Sequence, residues 1–379
     1  MSRIRVLEMI DQPSLGGGPK AVLLLAASLD PSNFDVSVCS EPGGPLVKEL
    51  RSLGVRHHPA SFGKKHWRRN ISQIRRILKD ESVDILHTHG GVAGFFGRWA
   101  ARKNKVPVII HTLHGIHYLH YRNPLQRRLY IHLEKIFSRF TDKLILVSGA
   151  DGKQAKRFRL APDPKIAIIK NGVDLRGLPT ARDSGRIRSE LGLAGNGPLV
   201  GTVSRLHRQK GVVYLIRAAA QIREAFPGVK VVCAGGGPLR SKMEDEIRKL
   251  GLQDTVILLG ETPEAVRLIS ALDVFILPSL WEGLPFVLIE AAALGKPIVA
   301  TDAEGNREII TSGETGILVP ARKPAALAEA VIGLLHDKGL AGRLAASAQK
   351  RVPSRFALSR MIRETEDLYL AAWHHRRFS

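Results

Sequence analysis

The chain has 379 residues, 44% of them hydrophobic, a length that exceeds one typical core and a composition that excludes global disorder. Its formal charge of +22 and pI near 10.4 favour anionic partners such as nucleic acid, acidic lipid surfaces or phosphorylated substrates. The two cysteines, Cys39 and Cys233, fall in different halves and in predicted strands, so they read as buried apolar side chains in a reducing compartment and exclude a disulfide framework.

Met1 to Arg5 runs directly into a strand-like segment with no signal peptide before it, and the longest apolar stretch, Ala21 to Leu29, is too short to span a bilayer. The expectation is a cytoplasmic protein. Strands are predicted at Ile4–Glu8, Asp35–Cys39, Asp84–His87, Val106–His111, Lys143–Val147 and Ile166–Ile169, each followed by a helical pattern. That alternation belongs to βαβ units and a parallel sheet. Between the first strand and helix lies Leu15-Gly16-Gly17-Gly18-Pro19-Lys20, where glycines allow close backbone approach and the helix start offers amides to a phosphate. The full dinucleotide fingerprint, with its later acid, is absent.

Lys64-Lys65-His66-Trp67-Arg68-Arg69 leads into a segment with Ile71, Ile74, Ile77 and Leu78 on one helical side and Arg75, Arg76 and Lys79 elsewhere. This reads as a crossover helix with a solvated basic face. A sharper reading makes Lys64, Lys65, Trp67, Arg68 and Arg69 an acceptor or membrane patch, with the tryptophan at headgroup depth. Histidines gather at His87-Thr88-His89 and at His111, His114, His117 and His120. They invite a metal, but no cysteine or paired acid lies nearby in the sequence and no D-x-D pattern occurs, so no metal is expected. His114 sits just past a strand's end, where a polar residue faces the crevice of a doubly wound sheet.

Asn171-Gly172 marks a turn, and Gly177 to Gly185 reads as a linker. The alternation then restarts with Leu199–Val203, Val229–Ala234, Val256–Leu259, Val274–Leu277 and Ile298–Thr301. After the first of these comes Ser204-Arg205-Leu206-His207-Arg208-Gln209-Lys210-Gly211, where Arg205 and Lys210 could neutralise a diphosphate and stabilise its departure. A second glycine turn, Gly235-Gly236-Gly237-Pro238, follows the next strand. Leu277 to Pro297 reads as strand, loop and helix, with Glu282 in the loop and Glu290 in the helix that Pro285 opens and Gly295 closes. Carboxylates accept hydrogen bonds from sugar hydroxyls, while helix-start amides attract anions; a loop offering both suits a ligand that is part sugar and part phosphate. The segment from Phe356 onward is helical, with Leu358, Met361, Ile362, Leu368, Tyr369 and Trp373 recurring at helical spacing.

Together these stretches resemble glycosyltransferase family 4, retaining nucleotide-sugar transferases of the GT-B fold. The matching segments are Ser204 to Gly211, Gly235 to Arg240, Asp273 to Ser279, Glu282 to Glu290 and Gly313 to Pro320, with Asn171 to Asp174 as the turn before the second domain. Gly16–Gly18 and Thr112–Gly115 look like the first-domain loops. The resemblance implies an α/β fold of two doubly wound Rossmann-like domains with a cleft between them and a C-terminal crossover helix. Its expected bounds are 1–178 for an acceptor-binding domain, 186–355 for a nucleotide-sugar-binding domain, and 356–379 for the helix packing back on the first.

The resemblance further implies that Glu290 holds the ribose hydroxyls and that Glu282, with the amides at Gly283 and Leu284, addresses the donor sugar. Arg205 and Lys210 would bind the diphosphate, Gly17, Gly18 and Gly237 would approach the donor, and His114 would stand beside the reacting sugar. Three positions depart from the family pattern: Glu304 replaces a glycine near the donor pocket, Ser204 a glycine before the arginine, and Lys170 a proline before Asn171. The expected activity is metal-independent, cofactor-free transfer of a hexose-type sugar from a nucleoside diphosphate, expected to be UDP. The acceptor would be a hydroxyl of a glycan or lipid-linked molecule in polysaccharide or lipopolysaccharide synthesis, with the protein peripheral on the inner face of the membrane. The alternatives are a GT-B nucleotide-sugar epimerase and a basic nucleic-acid-binding protein; no aromatic RNA-binding motif, zinc finger or basic zipper supports the latter, so no nucleic acid is expected.

Overall fold

A computed structural model describes residues 3–14, 16–176, 178–179, 183–190, 192–193 and 197–378, without the side chains of Lys64, Pro353, Arg377 and Phe378. Leu15 of the first glycine loop, and Gly177 and 180–182 of the expected linker, lie outside the described residues. The chain divides into two compact units, one of Met1–Gly172 with Leu358–Ser379 and one of Val173–Ala357.

The first unit begins β1 Ile4–Ile10, α1 Gly17–Ser28, β2 Phe34–Ser40, α2 Gly44–Ser52 and β3 Arg56–Pro59. It continues α3 Trp67–Asp80, β4 Ile85–His89, α4 Gly91–Asn104 and β5 Val108–Leu113, then α5 Pro124–Ser138, β6 Lys143–Leu146, α6 Gly149–Arg157 and β7 Ile166–Ile168. All seven strands are parallel, in the order β3-β2-β1-β4-β5-β6-β7. Strands buried on both faces need continuous apolar runs, which is why β1, β4 and β5 are legible as IRVLEMI, ILHTH and VIIHTL.

The second unit opens with α7 Ser184–Glu190, β8 Leu199–Val203, α8 Val212–Ala225, β9 Lys230–Ala234, α9 Arg240–Lys249 and β10 Val256–Gly260. It continues α10 Ala265–Ala271, β11 Val274–Leu277, α11 Phe286–Ala293, β12 Ile298–Thr301 and α12 Glu304–Arg307, then β13 Ile317–Val319, α13 Pro324–His336 and α14 Lys338–Arg355. Its six parallel strands run β10-β9-β8-β11-β12-β13. A core of Val200, Leu215, Ile216, Val231, Ile276, Val299 and Val331 joins this sheet to α8 and α13.

The last helix, α15 Leu358–Phe378, belongs to the first unit, where Met361, Ile362, Tyr369 and Ala372 pack with Ile4, Val6, Ile85, Val108 and Ile110. The helical segment read from Phe356 is α15, which starts at Leu358, and fully buried Phe356 lies between it and α14. β4 and β5 each run two residues beyond the strands predicted, because in each a histidine, His87 or His111, breaks the apolar run before the strand ends. β3 (RHHP) is polar and β13 spans three residues, so neither stood out as a strand. Cys39 and Cys233 are buried, and burial pushes both thiols up to about 12. Among the described residues no helix is long and apolar enough to cross a membrane.

Candidate active site

In the second sheet the strand order reverses between β8 and β11, and in open α/β sheets ligands bind outside the carboxyl ends of the strands at such a reversal. The loops leaving β8 and β11 carry Lys210 and Glu282. Lys210 Nζ donates to Glu282 Oε1 at 2.6 Å, and the side chains are only 15% and 5% exposed. Ser279 Oγ donates to the same oxygen at 2.6 Å, and Gln209 Nε2 to Oε2 at 3.4 Å. The two loops also join through their backbones, with Leu280 N donating to Gln209 O at 2.7 Å and Gln209 Nε2 to Trp281 O at 3.1 Å. The carboxylate is therefore held in one orientation, its oxygens turned to polar partners.

A third loop, after β12, braces the second. Thr301 Oγ1 donates to Ser279 O, and Asn306 Nδ2 donates to Thr301 O at 2.9 Å. A Cβ on Gly305 would stand 1.9 Å from the Gly283 carbonyl oxygen, so only glycine lets this loop lie against Glu282-Gly283. Leu284 is buried, and α11 begins two residues later. Glu290 is 4% exposed on an otherwise apolar helix face, a buried carboxylate whose cost must be met by polar partners. Arg205 is exposed in the loop after β8, and that loop hydrogen-bonds to the turn holding Gly237 through Leu206 N to Gly236 O at 2.7 Å. The expected residues of this unit thus fall on loops after β8, β9 and β11 and on α11. Lys210 and Glu282 are in direct contact.

In the first sheet the order reverses between β1 and β4. The parallel register sets Glu8 beside His87, and period-two alternation puts His89 on the same face. Glu8 Oε2 lies 2.6 Å from His89 Nε2 and 3.1 Å from His87 Nδ1, while Tyr369 of α15 donates its hydroxyl to Glu8 Oε1 at 2.6 Å. His114, past the end of β5, meets His89 with Nε2 3.0 Å from Nδ1. Burial pushes the Glu8 carboxyl up, but His87 and His89 outweigh this and hold it well below the usual carboxylate range. Burial pushes His89 down to about 4 and His114 well below its ordinary value, so both rings are neutral at neutral pH. Gly18, in the first turn of α1 with Gly17, packs on this ring: a Cβ there would stand 3.3 Å from His114 Cδ2.

The expectation that no acid accompanies the histidines is corrected here. Glu8 stands against His87 and His89, and the three ligand-type atoms lie within 4.8 Å of one another. These groups are already satisfied by each other and by Tyr369 and Thr112. The pairing joins residues 81 apart and comes from the β1–β4 register, to which local spacing is blind. The one available signal was Glu8 itself, a charge inside an apolar strand. Ser279, Gln209, Gly305 and Tyr369 were likewise missed, since each acts by holding another residue.

The basic segment runs from a short 3-10 turn, where Lys65 is exposed, into α3, which buries Ile71, Ile74 and Leu78 and leaves Arg68 and Arg69 exposed, with Trp67 45% exposed and the Arg68 guanidinium 5.3 Å from its ring centroid. The Lys64 side chain lies outside the described residues. Further apolar side chains are exposed on α4, at Phe95 and Trp99, and on α5, at Leu125 and Leu129.

Residues 15–176 match the profile of Glycosyltransferase Family 4, and residues 183–351 that of Glycosyl transferases group 1. The chain is 30% identical over 383 aligned positions to the Escherichia coli UDP-Gal:alpha-D-GlcNAc-diphosphoundecaprenol alpha-1,3-galactosyltransferase, covering 97% of each protein. Its fold is similar to that of Anabaena HepE, solved with UDP and glucose (TM-score 0.86, 21% identity, 97% of this chain and 100% of that one). It is similar also to sucrose-phosphate synthase from Thermosynechococcus elongatus (TM-score 0.84, 22% identity, 98% and 100%). Two doubly wound parallel sheets, each with polar side chains gathered at its strand-order reversal, make this a GT-B glycosyltransferase. Within that class the chain belongs to glycosyltransferase family 4.

Proposed function

We propose that this enzyme moves a hexose from UDP to a hydroxyl of a diphospholipid-linked sugar, with retained anomeric configuration and no metal, in cell-surface polysaccharide synthesis. The observation that carries the reading is the Lys210–Glu282 contact at the reversal point of the second sheet. A cation and a carboxylate fixed side by side suit the two halves of a nucleotide sugar. Lys210 and Arg205 neutralise the diphosphate as charge develops on it, while Glu282 and the amides of Gly283 and Leu284 orient the sugar hydroxyls. Glu290 holds the ribose, and Gly17 and Gly237 lie close to the donor. In the first unit, His114 contacts the transferred sugar.

The UDP donor is supported by the donor named for the E. coli relative and by the UDP-glucose complex of Anabaena HepE. The lipid-linked acceptor is supported by the same relative and by the unit's basic charge, with Trp67, Arg68 and Arg69 facing solvent beside one another. Such an acceptor would be met at a membrane surface through these side chains.

A panel of UDP-, GDP- and ADP-hexoses, offered with and without GlcNAc-diphosphoundecaprenol and with chelator present, tests the reading. A UDP-sugar should raise the melting temperature of the wild type and leave Glu290→Ala unshifted. NMR of the product should show the donor's anomeric configuration. Conversion of donor without acceptor would reassign the protein to epimerisation, and loss of turnover in chelator would remove metal independence.

A further inference from the structure

The side chains around Glu8 form one continuous hydrogen-bond chain, buried as far as its half-buried end at His114, whose proton positions can be assigned from end to end. A carboxylate only accepts hydrogen bonds, so each ring nitrogen or hydroxyl that meets Glu8 must supply a hydrogen. Tyr369 O–H donates to Oε1 and His89 Nε2–H to Oε2. With its hydrogen spent on Glu8, the Tyr369 oxygen accepts from His87 Nδ1–H at 2.5 Å, and His87 Nε2 then accepts from Thr112 Oγ1–H at 2.7 Å. Neutral His89, protonated at Nε2, offers only a lone pair at Nδ1. His114 Nε2, 3.0 Å away, must therefore carry the hydrogen between them. The two rings are tilted by only 17° and their centroids are 5.2 Å apart, so the contact runs edge to edge in the ring planes, as an N–H···N bond requires. What remains on His114 is Nδ1 with its lone pair, a buried atom with no hydrogen-bond partner among the described residues.

We propose that Glu8, His89 and Tyr369 are positioning residues that lock His114 in its Nε2–H tautomer, so that Nδ1 is offered as an acceptor to a hydroxyl of the transferred sugar. The tautomer follows from the hydrogen-bond chain together with the neutral state that burial imposes on His89; only the sugar hydroxyl rests on the glycosyl-transfer reading. Buried acceptors without partners are rare because they cost free energy, and a ligand hydroxyl arriving at Nδ1 would remove that cost. Tyr369 ties the arrangement to the last helix of the chain: its ring, fully buried, stands edge-on to His87 and Phe34, so docking of α15 completes the set of donors on Glu8.

The test uses the full chain labelled with [15N]histidine. Long-range 1H–15N spectra at neutral pH, with His114 assigned by its loss in His114→Gln, should show His89 and His114 both protonated at Nε2. Glu8→Gln replaces an acceptor with a group able to donate its NH2 to His89 Nε2, which reverses every bond downstream. The expected result is His114 protonated at Nδ1, with kcat lower by about 10–100-fold and donor KM changed by less than about threefold. Glu8→Asp, which keeps an acceptor, should retain the wild-type tautomer and recover part of kcat. Tyr369→Phe, which removes one donor and keeps the ring, should lower kcat severalfold without moving donor KM.

A wild-type His114 protonated at Nδ1 overturns the proposal. So does a Glu8→Gln enzyme in which the tautomer reverses and kcat does not fall. Should Glu8→Gln not fold, the wild-type spectrum still decides the tautomer, and an unchanged kcat in Tyr369→Phe overturns the positioning role. A wild type that turns over no nucleotide sugar would remove the glycosyl-transfer reading while leaving the spectral result standing. Loss of donor binding in Lys210→Ala with an unaltered His114 spectrum would support that reading and say nothing against the relay.

Discussion

Lys210 Nζ lies 2.6 Å from Glu282 Oε1, and the same carboxylate also accepts from Ser279 and Gln209. Removing one member of a buried, hydrogen-bonded charge pair leaves the other uncompensated, so both stability and function should respond. Lys210→Ala should lower kcat by about 10²–10³-fold, the effect of removing one charge-stabilising donor, and should abolish the thermal shift given by UDP-sugar. Glu282→Gln should keep the loop folded but lower kcat, because the amide removes the charge opposite Lys210 and its nitrogen cannot accept from Gln209 as Oε2 does. Steady-state kinetics with thermal-shift titration of each variant checks both. A Lys210→Ala enzyme with wild-type kcat and donor affinity would remove the pair from the site.

Gly305 sets how closely the loop after β12 approaches the one carrying Glu282. The Cβ of Gly305→Ala would stand 1.9 Å from the Gly283 oxygen and 2.9 Å from the Glu282 oxygen, both backbone atoms that no rotamer change can move aside. The expected cost is about 1–3 kcal/mol of unfolding free energy, typical of overpacking, with kcat reduced because Glu282 shifts with its main chain. Urea unfolding and kinetics on the same preparation would show the two losses together. Full activity in a destabilised Gly305→Ala would mean that the loop accommodates the methyl without moving Glu282.

The strands were legible because a parallel sheet covered on both faces demands apolar runs, and β8, β11 and β12 fall on the residues where those runs begin and end. Glu282 was legible as a polar residue stranded between an apolar strand and an apolar helix. The relay was not. Glu8 and His89 stand 81 residues apart, and Glu8 and Tyr369 361 apart, so only strand register and the docking of α15 bring them together. The residue after Glu304 shows the same limit. Glu304 was visible as a departure from a glycine, whereas the constraint falls on Gly305, whose tight contact exists only once two loops are stacked.

The buried histidines give the first unit a defined sensitivity to acid. His89 titrates near 4 in the folded protein, against an ordinary value of 6.5, and burial lowers His111 and His114 in the same direction. Between pH 6.5 and 4 the unfolded chain binds protons that the folded chain refuses, so stability is complete above pH 6.5 and falls as pH drops through this window. Glu8 acts in the same sense further down: its folded value is depressed, so its contribution is present above its ordinary 4.5 and is lost only in stronger acid. By pH 5 the loss should reach up to about 2 kcal/mol per histidine. Urea unfolding at pH 7.5, 6 and 5, followed by fluorescence of Trp67, Trp99 and Trp373, should show a midpoint that falls with pH. A flat midpoint across that range would mean that these rings are charged in the folded state.

A lipid-linked acceptor requires the enzyme to reach a membrane surface, and the first unit offers more for this than the basic segment of α3. On α5, Leu125 and Leu129 are 71% and 55% exposed, four residues apart and so on one helical side, with Arg127 and Arg128 exposed between them. On α4, Phe95 and Trp99 are also four apart and partly exposed, and both rest on Phe137 of α5 at ring separations of 5.3 and 6.4 Å. Apolar side chains flanked by cations are the pattern of an interfacial helix, in which burial of the apolar part adds to attraction for anionic headgroups. Each basic residue near such a surface contributes about 1 kcal/mol, a contribution that salt screens. Flotation with vesicles containing phosphatidylglycerol should therefore carry the protein at low salt and release it at high salt, whereas pure phosphatidylcholine should carry little. Leu125→Glu with Leu129→Glu should weaken flotation and raise KM for the lipid-linked acceptor, leaving turnover of a short-chain, water-soluble acceptor near the wild-type rate. Equal flotation on neutral and anionic vesicles, or a double variant that floats like the wild type, would mean that the acceptor is met by another route.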